Sequence, residues 1–92
     1  MTTVKFVAER FWPGATEEAA RASMAQVRAS CERLAASGVP VRWLGGSFVV
    51  GDEALSQRFE GTAQAVQAAH VLAGVPYDRL VPSVEIDSED QL

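Results

Sequence analysis

Cysteine, histidine and lysine are almost missing from this chain of 92 residues: Cys31, His70 and Lys5 each occur once. A single cysteine excludes an intramolecular disulfide and any Cys-x-x-Cys zinc or redox site. Basic residues are also short. Lys+Arg 8 against Asp+Glu 12 leaves a formal net charge of -4, which argues against a nucleic-acid module with a basic face. No apolar run approaches the ~20 residues needed to span a bilayer. No basic segment followed by an apolar stretch opens the chain, so the expectation is a cytoplasmic protein without a secretory signal. Repeats, linkers and low-complexity stretches are absent. So are GxxxxGK[ST], GxSxG and HExxH. No motif decides whether the chain is an enzyme.

What is present describes one small globular domain. Hydrophobic residues make up 48% and charged residues 22%, too apolar for a disordered chain. Glu85, Asp87, Glu89 and Asp90 fall in the last eight residues. The acidity therefore belongs to the C-terminus, and the body balances eight acids against eight bases. We divide the chain into a single domain, 1–86, and an acidic tail, 87–92. A domain this short buries only about 60–65% of its unfolded surface, which favours covering a further face with a second copy.

Residues 3–9 alternate with the period of a strand: Val4, Phe6 and Ala8 on one side, Lys5, Val7 and Glu9 on the other. Pro13-Gly14 is turn chemistry. Residues 16–37 read as a helix, with Thr16 as N-cap, Glu17 and Glu18 at the positive end and Gly38 as the stop. Its apolar stripe is Ala20, Met24, Val27, Cys31 and Leu34, which makes Cys31 a buried, inert thiol. Val39–Leu44 reads as a second strand beginning at Pro40. Gly45-Gly46 permits a bend or bulge, and Ser47–Val50 continues extended. After a turn at Gly51-Asp52-Glu53, residues 54–60 alternate again, with Leu55, Gln57 and Phe59 on one face and Ser56 and Arg58 on the other. A second helix spans 62–73, capped by Thr62 and stopped by Gly74. Its apolar arc holds Ala65, Val66, Ala69, Leu72 and Ala73, with His70 at the border. A last strand carries Leu80, Pro82, Val84 and Ile86 on one face.

The order β-α-β-β-α-β predicts an α+β, ferredoxin-like fold, with a four-stranded antiparallel sheet and both helices on one face. The bare face then carries Lys5, Val7, Glu9, Arg42, Leu44, Arg58, Ser83 and Glu85. This mixture suits a homodimer in which two bare faces enclose a polar cavity, a dimeric α+β barrel.

Three segments resemble a small, largely uncharacterised family of the actinobacterial type. Glu9-Arg10-Phe11-Trp12-Pro13-Gly14 is similar to its "ER-x-x-PG" opening. Val41-Arg42-Trp43 with Ser47-Phe48-Val49 is similar to its "V-x-W…S-Y-V" segment, and Ala73–Arg79 to its "AG-[LF]-P-x-D-R" turn. The likeness covers residues 4–86. It implies a dimeric ferredoxin-like fold, and the family's best-known member is a nickel-binding protein. Where the family reads Cys-Leu-Tyr-Glu-Ala in the third strand, this chain has Gln57-Arg58-Phe59-Glu60-Gly61, an amide for a soft sulfur donor and a charge for an apolar side chain.

Two roles fit. The first is a small dimeric bacterial binding protein for a divalent transition metal such as nickel, or for a small molecule, in the bare-face cavity. Its metal ligands would be His70 with Glu9 and Glu60. The second is a cofactor-free isomerase- or cyclase-like enzyme acting on a small aromatic or polyketide-like ligand. Glu9 or His70 would be the base, Arg42 and Arg58 would hold an anion, and Trp43 would floor the pocket. Neither role requires a cofactor, and neither calls for nucleic acid or a membrane. Competing structural uses are a hydrogen-bonded boundary histidine for His70, cross-strand ion pairs for the charges, core packing for Trp43 and a turn contact for Asp78.

Overall fold

The computed structural model describes residues 4–84 and 86. Glu85 and the acidic segment 87–92 lie outside them. The elements are β1 (Lys5–Phe11), α1 (Glu17–Ala36), β2 (Val41–Val49), β3 (Ala54–Gly61), α2 (Ala63–Ala73) and β4 (Arg79–Ser83), with a 3-10 turn at Val50–Asp52 between β2 and β3. All pairings are antiparallel in the order β2-β3-β1-β4. This is the ferredoxin-like arrangement, with β2 and β4 at the edges.

Local chemistry fixes the element ends. The Thr16 hydroxyl accepts a hydrogen bond from Ala19 N, and that of Thr62 accepts one from Ala65 N, so both helices begin on a side-chain cap. Gly38 and Gly74 adopt positive φ just past α1 and α2, where a residue with a Cβ is strained. β1 runs two residues further than its alternation suggests. Phe11 N donates to Asp78 Oδ2 at 2.6 Å, and Asp78 N donates to Glu9 O at 2.8 Å. The Glu53 carboxylate holds the next turn by accepting from Gly14 N at 2.6 Å.

The helices cover the sheet face that carries Phe6, Ala8, Val41, Trp43, Leu55, Gln57, Phe59 and Leu80. Phe59, Val27, Val66 and Ala69 are completely buried there. Two expectations for α2 need correction. Leu72 is 43% exposed, outside the core, and His70 is 3% exposed, well inside it. Helical spacing alone placed both. The core side is set by the Phe59 ring from β3 and by Tyr77 from the loop after α2, which close on the imidazole at 5.3 and 4.8 Å. The last strand also ends earlier than its alternation implies: β4 stops at Ser83, and Val84 and Ile86 extend beyond it.

β2 is one continuous strand with a bulge. Trp43 pairs with Phe59 and Gly45 with Arg58, which leaves Leu44 as the extra residue. The glycine pair makes this possible on both faces. A Cβ on Gly45 would overlap the Arg58 guanidinium, and one on Gly46 would fall 2.6 Å from Met24 Sδ.

Candidate functional site

The strand pairings lay the bare face out in rows. Each row is a set of laterally paired residues, which necessarily point the same way. Phe11, Ala54 and Val49 form the first. Arg79, Glu9, Ser56 and Ser47 form the second, Val81, Val7, Arg58 and Gly45 the third, and Ser83, Lys5, Glu60 and Arg42 the fourth. Among the described residues this face therefore carries four bases, Lys5, Arg42, Arg58 and Arg79, against two acids, Glu9 and Glu60. Apolar Phe11, Val7, Val49 and Val81 separate them. The body as a whole balances acids and bases, so the basic excess is local to this face.

The charges interlock across strands. Arg79 Nε donates to Glu9 Oε1 between β4 and β1. Arg42 Nη2 lies 3.6 Å from Glu60 Oε1 between β2 and β3. Arg58 lies over the backbone of Gly45, a position open only because that residue lacks a side chain. It remains largely exposed on the face, as does Phe11 at 62%.

The sequence candidates divide between the two faces. Glu9, Arg42, Arg58 and Glu60 lie on the bare face; His70 and Trp43 lie on the helix side. The sheet stands between His70 and the two glutamates, so one protomer does not bring the trio together. Among the described residues no group of three or more His, Cys, Asp or Glu side chains is placed to hold a metal ion. The chemistry of His70 points the same way. Its Nδ1 is 2.9 Å from Val66 O, and a carbonyl only accepts, so Nδ1 carries the proton. Nε2 is buried without a hydrogen-bond partner. A second proton would create an unsolvated cation, and burial holds the His70 pKa below its ordinary value despite the opposing Val66 contact.

Trp43 packs against the core, and its indole N–H donates to Gln57 Oε1 at 3.0 Å. That bond accounts for a buried amide in the middle of β3. Cys31 is buried beside this pair, and desolvation, with Glu32 nearby, raises its pKa to about 11. The thiol stays protonated and unreactive at neutral pH.

One feature was not legible in the sequence. An open groove of about 1070 Å³ follows the outer edge of β2, between Arg28, Cys31 and Ala35 of α1 and Val41, Trp43 and Leu44 of β2. It depends on the bulge at Leu44 and on where α1 crosses the sheet, and neither is set by spacing along the chain. Leu44, expected on the bare face, is the bulged residue and lines this groove together with Arg42 and Glu60. Arg79 and Ser47 belong to the bare face and were also missed, whereas Ser56 falls there beside Arg58 as the alternation of β3 expects. Extending the alternation of β4 by one residue would have found Arg79.

No helix among the described residues is long and apolar enough to cross a membrane. No family model, curated protein or solved structure matches the chain.

Proposed function

We propose that the protein is a small homodimeric binding protein whose two bare sheet faces meet around a cavity that holds a small organic anion. The supporting observation is the bare face itself: four bases against two acids among the described residues, set between exposed Phe11 and Val49 and half-buried Val7 and Val81 on a face that neither helix covers. Burying apolar rows against a second copy is favourable. Basic side chains set among apolar ones suit a ligand that is itself part anionic and part apolar, such as an aromatic carboxylate.

Arg58 is the principal anion-binding group in this reading. It lies at the middle of the face, in the row with Val7 and Val81, and its planar fork suits a carboxylate. Arg42 supports it from the next row. Metal binding by His70 with Glu9 and Glu60 has no comparable support, because the sheet divides those donors. The enzyme reading has less support: His70 is sealed in the core, and Glu9 is engaged by Arg79.

The test is calorimetric titration of the full chain with salicylate, an aromatic carboxylate, at low and high salt. Binding that weakens with salt, and weakens at least ten-fold in Arg58→Ala, is expected. No binding by the parent, or equal binding by the variant, contradicts the reading.

A further inference from the structure

We propose that residues 84–87 of a second copy add as a strand to the outer edge of β2 and fill the groove beneath α1. Three independent observations converge on this. Among the described residues β2 pairs only with β3, and its outer edge presents backbone donors and acceptors to an added strand. Beside that edge lies the groove, apolar at Cys31, Ala35, Val41, Trp43 and Leu44. At the far end of the sheet, Val84 is 85% and Ile86 66% exposed just past β4.

The sequence Val84-Glu85-Ile86-Asp87 alternates with the period of a strand. Laid along β2, it turns Val84 and Ile86 into the groove and Glu85 and Asp87 towards the side that carries Arg42. Arg42 is 71% exposed in its side chain despite its contact with Glu60, so it can take a second carboxylate. Main-chain pairing would supply the affinity and the alternating side chains the register.

Reach decides which copy donates the segment. From Ser83 to Ile86 is three residues, ~10 Å at most. β4 and β2 are the two outermost strands, ~14 Å apart at the usual spacing of ~4.8 Å, and the groove lies beyond β2. The segment cannot lie along its own β2, so the donor is another molecule.

Area argues the same way. A face of four strands measures roughly 19 by 20 Å, about 400 Å², whereas a stable interface buries about 800 Å² per partner. Exchanged strands add to that contact. The inference rests on pairing of two copies, as the proposed function does, but adds a contact that the bare face does not need in order to bind an anion.

The test is a cysteine pair, Leu44→Cys with Ile86→Cys, in the full chain carrying Cys31→Ala, oxidised at micromolar concentration beside each single variant on the same Cys31→Ala background. A covalent dimer formed by the double variant and by neither single variant is expected. An intramolecular disulfide, or thiols that stay free, overturns the inference. A second measurement does not depend on cysteine geometry. Val84→Asp with Ile86→Asp should speed hydrogen exchange at the outward-facing amides of β2 and lower the dimer affinity at least ten-fold. Unchanged exchange and affinity would overturn strand exchange. If the same variant keeps the Arg58-dependent binding of salicylate, the face reading survives without it.

Discussion

β3 is the strand on which the two sides of this sheet can be compared most directly. Leu55, Gln57 and Phe59 are sealed beneath the helices, while Ser56, Arg58 and Glu60 alternate with them on a face that neither helix covers. One strand thus carries a core and a candidate binding surface, separated only by the pleat. On the sealed side, polar groups survive by being paired or kept neutral: Gln57 answers the Trp43 indole, and His70 keeps one proton on Nδ1. On the bare side, charges stand in water and pair across strands at little cost. The difference explains why the solitary histidine and cysteine, the residues a sequence reader notices first, are buried, and why the arginines stand on the open face.

The largest break in this contrast is Phe59→Ala on the sealed side. Its ring is completely buried, and the loss should reach about 3–5 kcal/mol, read as a fall in the urea midpoint. Gln57→Leu comes next. It leaves the Trp43 N–H without its acceptor and should cost about 1–3 kcal/mol. Gly45→Ala sharpens the comparison from the other side. It places a side chain at φ +154 against the Arg58 guanidinium and should cost about 1–2 kcal/mol. Removing Arg58 in the same chain should recover part of that loss in a double-mutant cycle.

Acidification reaches the sealed side through His70. Because the folded pKa of His70 is lowered, the unfolded chain binds more protons once the pH drops below about 6.5. Stability is therefore full above that value and declines as pH falls beneath it. Urea midpoints between pH 7.5 and 5 should show the decline in the parent and a flatter profile in His70→Leu. The smallest effect belongs to Arg28→Ala. Its 3.8 Å contact with Glu32 lies between two side chains more than 60% exposed, and its loss should stay within about 0.5 kcal/mol.

The order of elements along the chain, both helix caps and the alternation of β3 were legible in the sequence because each is written in local spacing. Leu55, Gln57 and Phe59 fall two apart, and Thr16 and Thr62 stand immediately before helical runs. His70 was misplaced because its burial is decided by Phe59 and Tyr77, which meet it only in three dimensions. The bulge was half legible. Gly45-Gly46 announced permissive backbone, but that Leu44 is the extra residue depends on the pairing of Trp43 with Phe59. Arg58 read as a charge on a strand, and what gives it a place to lie is the bare backbone across the ladder.

The central claim is that the uncovered face meets a second copy. Sedimentation velocity of the full chain at tens of micromolar tests it most directly, alongside Val7→Asp, which puts a carboxylate amid the apolar row. The account predicts a dimer for the parent and a folded protomer for the variant. A parent that sediments as a folded protomer, or a variant that dimerises as tightly as the parent, would contradict it.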